Sequence, residues 1–328
     1  MKVWDLHCDT LSELRYAAQA GKPKSFAAND LHIDLDKLTR GDYMLQCMAI
    51  FVNLGRAEDP LVCALEQADL FRGILADYAD RVAPVYTGAD IDKNAAAGKL
   101  SLMLTVEEGG CCKGSLAVLR TLYALGARMM TLTWNHENEL ASPNIAPGDA
   151  ADVLPCRANT ETGVKPLGLA FLAEMERLHM IVDVSHLSDK GFWDVAGHTT
   201  RPFAASHSNC RALAPHCRNL TDEMIRLMGE RGCLAGLNYC AGFLEEDPAA
   251  LQSSVDRLAQ HAAHFKQVGG LDMIALGSDF DGIEHGPGMK NAADLPMLEQ
   301  ALRRAGFHER EIEAIFYGNA RRFFRENL

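Results

Sequence analysis

The stretch VWDLHCDT, residues 3–10, decides how the fold is read. Its short run ends in His7 and Asp9, and in an extended chain these two side chains point the same way, because strand side chains alternate with a period of two. Neither a G-x-G-x-x-G nor a P-loop comes after it, as a doubly wound nucleotide-binding sheet would require. Working outward, short apolar runs recur at Met44 to Val52, Ser101 to Val106, Arg128 to Thr133, Met180 to Val184, Pro202 to Ser206, Cys233 to Asn238 and Met273 to Gly277. Several are almost continuously apolar, the pattern of strands covered on both faces. Between them lie helix-like stretches with credible caps. Ser188-Asp189 precedes KGFWDVAGH, Thr221-Asp222-Glu223 precedes MIRLMGERG, and Pro248 opens a long helical stretch that Gly269-Gly270 stops. Strand and helix alternating eight times predict a (β/α)8 TIM barrel, as one domain over residues 1–328.

The composition fits such a fold. At 328 residues and 48% hydrophobic the chain can bury a large core. A formal charge of -12 argues against nucleic acid and anionic membrane as partners, since phosphate selects Lys and Arg. The N-terminus lacks the apolar segment of a signal peptide, and no run is long enough to span a bilayer, so the expected location is cytoplasmic. Ten scattered cysteines without a C-x-x-C pair read as free thiols of a reducing compartment.

A TIM barrel places its active site at the C-terminal ends of the strands. There the sequence offers His7 and Asp9, Glu107-Glu108 before Gly109-Gly110, Trp134-Asn135-His136, His186, His207, Asn238-Tyr239, and Asp279 in DFDG. One histidine at a strand end is usually structural. Imidazoles and carboxylates converging from several strands on one mouth would cost on the order of several kcal/mol in desolvation and repulsion unless a cation joined them. A pair of divalent metals removes that cost. The DFDG run is not an EF-hand loop, because Gly282 stands at the wrong position and Lys290 replaces the bidentate Glu. His261 and His264, spaced i, i+3, read as members of a surface helix, and His198, His216, His285 and His308 carry no assigned role.

The segments DLHCDT, TVEEGG with LAVLRTLYALGARMMTLTWN, IVDVSHLS, ASHSNCRALAPHCRNLTDEMIR, LGSDFDGI and GNARRFFRENL resemble, in order, the membrane dipeptidase (renal dipeptidase) family of zinc metallopeptidases. Lacking the signal peptide and lipid-anchor signal of the animal members, the chain looks like a soluble bacterial-type member. The resemblance implies a barrel with two zinc ions. One metal takes His7, Asp9 and a bridging glutamate; the other shares that glutamate and takes His186 and His207. Counting back from LAVLR without a gap makes the bridge Glu107, with Glu108 as the alternative. By the same carry-over Asp279 is the catalytic acid and base, and Arg218 binds substrate. Where the animal enzymes have a substrate-binding His the chain has Trp134; either His136, two residues on, takes over as a substrate-binding residue, or that carbonyl contact is made differently. Family members are commonly homodimers, and the resemblance extends that expectation to this chain.

The chemistry is set by these residue types. A hydroxide bridging two metals is a strong nucleophile at neutral pH, a neighbouring carboxylate can move its proton to the departing amine, and an arginine can grip the free carboxylate of a dipeptide. The expected activity is a binuclear zinc dipeptidase that accepts dipeptides, including L,D pairs. Two alternatives stand beside it. One is a related barrel amidohydrolase acting on a lactam, a lactone or another amide; such relatives often bridge their metals with a carboxylated Lys, and no strand here ends in Lys. The other is an inactive binding protein on the same fold, which a complete ligand set disfavours.

Overall fold

The computed structural model describes residues 1–149 and 157–328. Among the described residues nine strands form one parallel sheet: β1 (Val3–Asp5), β2 (Tyr43–Phe51), β3 (Val82–Pro84), β4 (Leu100–Glu107), β5 (Ala127–Thr131), β6 (Ile181–Asp183), β7 (Ala204–Ala205), β8 (Leu234–Leu237) and β9 (Ile274–Leu276). The sheet runs from β2 through β1 and β9 down to β4, and a direct β2–β4 pairing, Leu45↔Ser101 through Phe51↔Glu107, closes it into a barrel of eight. Strand β3 pairs with β4 alone and stands outside the ring. The eight strands of the ring are the eight expected from sequence. The ninth, VAP, is an addition to that expectation, being three residues long with no periodicity to give it away.

The barrel lumen is filled by Trp4, Leu6, Leu45, Cys47, Met103, Met129, Ile181 and Leu234, together with small Ala204 and Ala275. Its floor is sealed by the last helix, Asn319–Asn327, whose Phe324 stacks on Trp4 with ring centroids 5.4 Å apart. Buried Asn319 fastens that helix, donating from Nδ2 to the carbonyls of Leu271 (2.8 Å) and Ile274 (2.9 Å). Access is left to the opposite mouth. Near it the chain is packed backbone to backbone: a Cβ on Gly277 would lie 1.9 Å from the Ser206 carbonyl oxygen, and one on Gly236 2.0 Å from the same atom. Only glycine allows that approach.

Two caps act as read. Ser188 accepts from Gly191 N–H and Thr221 from Met224 N–H. The long helix differs at its start: it spans Val255–Gly269, capped by Ser254, and Pro248 lies seven residues upstream, outside it. Ser254 supplies a side-chain acceptor to Arg257 N–H, which a proline cannot do. The stop at Gly270, φ 90°, is as expected. Among the described residues no helix is long and apolar enough to cross a membrane. Eight of the cysteines are free, but Cys217 is disulfide-bonded, so the reading of ten free thiols fails there; Cys156 lies outside the described residues.

His261 also departs from its expected surface position. It is fully buried, its Nδ1 accepts from Cys210 N–H at 3.1 Å and its Nε2–H donates to the Leu244 carbonyl at 3.0 Å. Burial lowers it to about 4, although the Leu244 contact works the other way. Below its unfolded value of about 6.5 the unfolded chain therefore takes up a proton that the native one does not, and stability falls as the pH drops towards 4. His261→Asn, which keeps an acceptor but does not titrate, should remove about 2 kcal/mol of the stability lost between about pH 7.5 and about pH 5, measured by urea unfolding. Identical pH sensitivity in the two proteins would reject this assignment.

Candidate metal centre

Each residue of the centre is delivered by a strand end. His7 and Asp9 come after β1, Glu107 closes β4, His186 comes after β6, His207 after β7 and Asp279 after β9. Two buried Asp–Ser pairs shape the turns that carry them. Asp5 accepts from His7 N–H (3.3 Å), Ser278 N–H (2.8 Å) and Ser278 Oγ (2.5 Å), tying β1 to the segment bearing Asp279. Asp183 does the same between β6 and β7, accepting from Ser185 N–H, Ser206 N–H and Ser206 Oγ. Burial raises both carboxyls, and these hydrogen bonds oppose it. His186 and Asp279 sit in left-handed backbone, φ 67° and 62°, a conformation non-glycine residues seldom adopt and one concentrated at functional sites.

Glu107 lies at the centre, 2% exposed. Its Oε2 faces His7 Nε2 at 3.3 Å; its Oε1 faces His186 Nε2 at 2.8 Å and His207 Nε2 at 3.4 Å. Asp9 Oδ2 is 3.5 Å and Asp279 Oδ1 3.8 Å from His7 Nε2. Burial opposes its charge, yet the imidazoles of His7, His186 and His207 hold the Glu107 carboxyl well below its usual value. Asp9 is pushed the other way, by burial and by the charge of Glu107. Glu108, the alternative bridge, turns aside from this cluster. In left-handed backbone, φ 106°, it accepts from Gly110 N–H, Trp134 N–H and Asn138 Nδ2, and burial pushes it up to about 7.

The donor set fits a cation. His186 Nδ1 bonds Asn135 Oδ1 at 2.8 Å and His207 Nδ1 bonds Ser206 Oγ at 2.7 Å, whose own proton goes to Asp183. Both histidines thus donate from Nδ1 and turn bare Nε2 atoms inward, 3.0 Å apart and facing a carboxylate oxygen. Three acceptors converging on one point repel unless positive charge lies among them. Burial helps to lower both rings to about 3. On the other side His7 Nε2 and Asp9 Oδ1 are buried and have no hydrogen-bond partner among the described residues. The ligand atoms fall into overlapping triads, His7 with Asp9 and Glu107, Glu107 with His186 and His207, and His7 with His207 and Asp279, each within 4.8 Å.

The centre opens into a cavity of about 1480 Å³ lined by Asp9, Glu107, Trp134, Asn135, His186, Arg218 and Asp279 among others. Arg218 is 5% exposed; it donates to Ser208 Oγ and the His207 carbonyl, lies over the Phe243 ring at 5.5 Å and keeps Nε without a hydrogen-bond partner among the described residues. Asp279 Oδ2 accepts from Asn238 Nδ2 at 3.0 Å. His136 is not among the cavity residues; its Nε2 bonds Asn53 Oδ1 at 3.1 Å, and Trp134 and Asn135 take the wall. Sequence reading assigns no role to Asn135, Ser206, Asp5, Asp183 or His216, which accepts from Arg218 N–H. Their only signal is a position one or two residues from a site residue or at a strand end.

The sequence profile of the membrane dipeptidase family, peptidase family M19, matches residues 1–327. The chain is 30% identical to an uncharacterised protein of Klebsiella pneumoniae from the pqqA 5′ region, over 80% of this chain and 94% of that one. It is also 30% identical to an uncharacterised dipeptidase of Schizosaccharomyces pombe, over 90% of this chain and 72% of that one. Among solved structures, a metallopeptidase from Rhodobacter sphaeroides liganded with a phosphinate mimic of L-Ala-D-Ala superposes with a TM-score of 0.89 at 26% identity, covering 100% and 99% of the two chains. A dipeptidase designated AC, of the same family, gives 0.90 at 27%, covering 100% and 98%. Profile, relatives and barrel agree with the strand-end cluster: the chain belongs to the membrane dipeptidase family and is a metallopeptidase-type hydrolase.

Proposed function

We propose that the chain is a binuclear zinc dipeptidase in which His7, Asp9 and Glu107 hold one metal and Glu107, His186 and His207 the other. The observation that carries this reading is the division of Glu107, one oxygen towards His7 and the other towards His186 and His207. Zinc bound there would supply an activated water at neutral pH and polarise the scissile carbonyl. The remaining work belongs to side chains. Asp279 accepts the proton of the attacking water on Oδ1 and returns it to the leaving nitrogen, while Asn238 holds Oδ2 and so aims the free oxygen at the reacting centre. Arg218 pairs with the substrate carboxylate, using Nε, which has no hydrogen-bond partner among the described residues. Dipeptides are the substrate class, and a D residue at the C-terminal side is included; the R. sphaeroides relative with its L-Ala-D-Ala mimic supports that choice. The substrate-facing place first given to His136 passes to Trp134 and Asn135.

The test is a dipeptide panel, L-Ala-D-Ala included, run with zinc-loaded protein, with chelator, and after zinc is restored. Elemental analysis should find about two zinc ions per chain, and activity should vanish and return with them. Full turnover in chelator, or a chain that takes up no zinc, would sink the reading.

A further inference from the structure

We propose that Asn144 binds substrate, pairing its side-chain amide with the N–H and the carboxylate of the dipeptide's C-terminal residue; this rests on the dipeptidase reading above. Asn144 lines the cavity and is 1% exposed, and among the described residues neither its Oδ1 nor its Nδ2 has a hydrogen-bond partner. Buried amides without partners are rare, because each group has given up water for nothing. The neighbouring asparagines behave otherwise. Asn138 Oδ1 accepts from Leu140 and Ala141 N–H, and Asn159 Nδ2 donates to the Pro143 carbonyl and to Thr162. Those two serve the loop; Asn144 does not.

Its backbone is nevertheless fixed. Asn144 N–H donates to the carbonyl of His186 at 2.8 Å, and its own carbonyl accepts from Asn159 N–H at 2.8 Å. Arg218 is attached in a parallel way, through Nη2 to the carbonyl of His207 at 3.1 Å. The two residues are therefore both anchored on the segments that carry His186 and His207, and both line the cavity. A ligand that satisfies Asn144 must offer a donor and an acceptor side by side. In a dipeptide the α-ammonium offers donors only. The scissile carbonyl offers an acceptor only. The C-terminal residue carries both, its peptide N–H and its carboxylate one carbon apart. Asn144 Oδ1 accepts the first and Nδ2 donates to the second, while Arg218 takes the remaining charge.

The arrangement selects against a C-terminal residue without an N–H. The test compares L-Ala-L-Ala with L-alanyl-N-methyl-L-alanine, in wild type and in Asn144→Leu, a variant of similar size, following kcat, KM, zinc content and the melting temperature of the free protein. Wild type should prefer Ala-Ala. In the variant KM for Ala-Ala should rise about 10- to 100-fold, and KM for the N-methyl substrate, which keeps only the carboxylate contact to Nδ2, by a several-fold smaller factor, so that the preference narrows. Zinc content should hold, and the melting temperature should stay or rise, since the change removes two unpaired polar groups; a purely structural Asn would lower it. Asn144→Ser provides a second route to the same KM ratio should the leucine variant not fold. An unchanged preference in a zinc-loaded variant overturns the assignment while leaving the dipeptidase standing, as does an equal loss on both substrates with a lower melting temperature. Wild type that cleaves no dipeptide overturns both.

Discussion

Glu107→Ala should lower bound zinc from about two per chain to one or fewer and cut kcat/KM by about four orders of magnitude, with the barrel still folded. In the native arrangement one carboxylate serves three imidazoles, with Oε1 2.8 Å from His186 and Oε2 3.3 Å from His7. Alanine removes the acidic group that the two halves share, leaving His186 and His207 with bare Nε2 atoms 3.0 Å apart and His7 with Asp9. Glu108→Gln is the informative control. Glu108 is spent on Gly110, Trp134 and Asn138, and a glutamine would set its own NH2 against one of those donors. It should destabilise by about 1 to 3 kcal/mol and keep both metals. Elemental analysis, a dipeptide assay and thermal melting on the two variants separate the roles. If Glu108→Gln lost zinc and Glu107→Ala did not, the bridge would have been assigned to the wrong glutamate.

Asp279→Asn should lower kcat by about a thousandfold, leave KM within about threefold and retain both zinc ions. Asparagine matches the shape and can still accept from Asn238 Nδ2, now 3.0 Å from Asp279 Oδ2. It cannot take a proton. Because Asp279 Oδ1 is also 3.8 Å from His7 Nε2 and shares a triad with His7 and His207, the alternative is that it serves as a ligand. Metal analysis decides between the two: zinc lost along with activity makes Asp279 a ligand, and wild-type kcat removes it from the proton transfer.

Much of this was legible in the chain because buried parallel strands are nearly uniform apolar runs, and the residues at the end of each run must lie at one barrel mouth. LSLMLTVE shows the logic: its apolar residues form β4, and Glu107 is its last member. Short elements carry no such pattern. VAP became β3 only through pairing with Leu100–Leu102, and QSSV yielded its helix start to Ser254 rather than Pro248. His261, spaced three residues from His264, looked like a surface residue, and only packing showed that its two nitrogens bind the Cys210 amide and the Leu244 carbonyl.

The sequence by itself determined the alternation of strands and helices, the barrel, and which acids and imidazoles stand at strand ends, since these depend on periodicity along one dimension. Tertiary structure decided which of two adjacent glutamates faces the centre. Glu107 and Glu108 are chemically identical, but consecutive side chains of a strand leave on opposite faces, and left-handed backbone at Glu108 turns it onto Gly110, Trp134 and Asn138. It likewise decided that Asn135 rather than His136 meets the centre, and that Asn144, unlike Asn138 and Asn159 beside it, keeps its amide unspent among the described residues. Hydrogen-bond satisfaction is settled between segments far apart in the chain, so no local pattern encodes it.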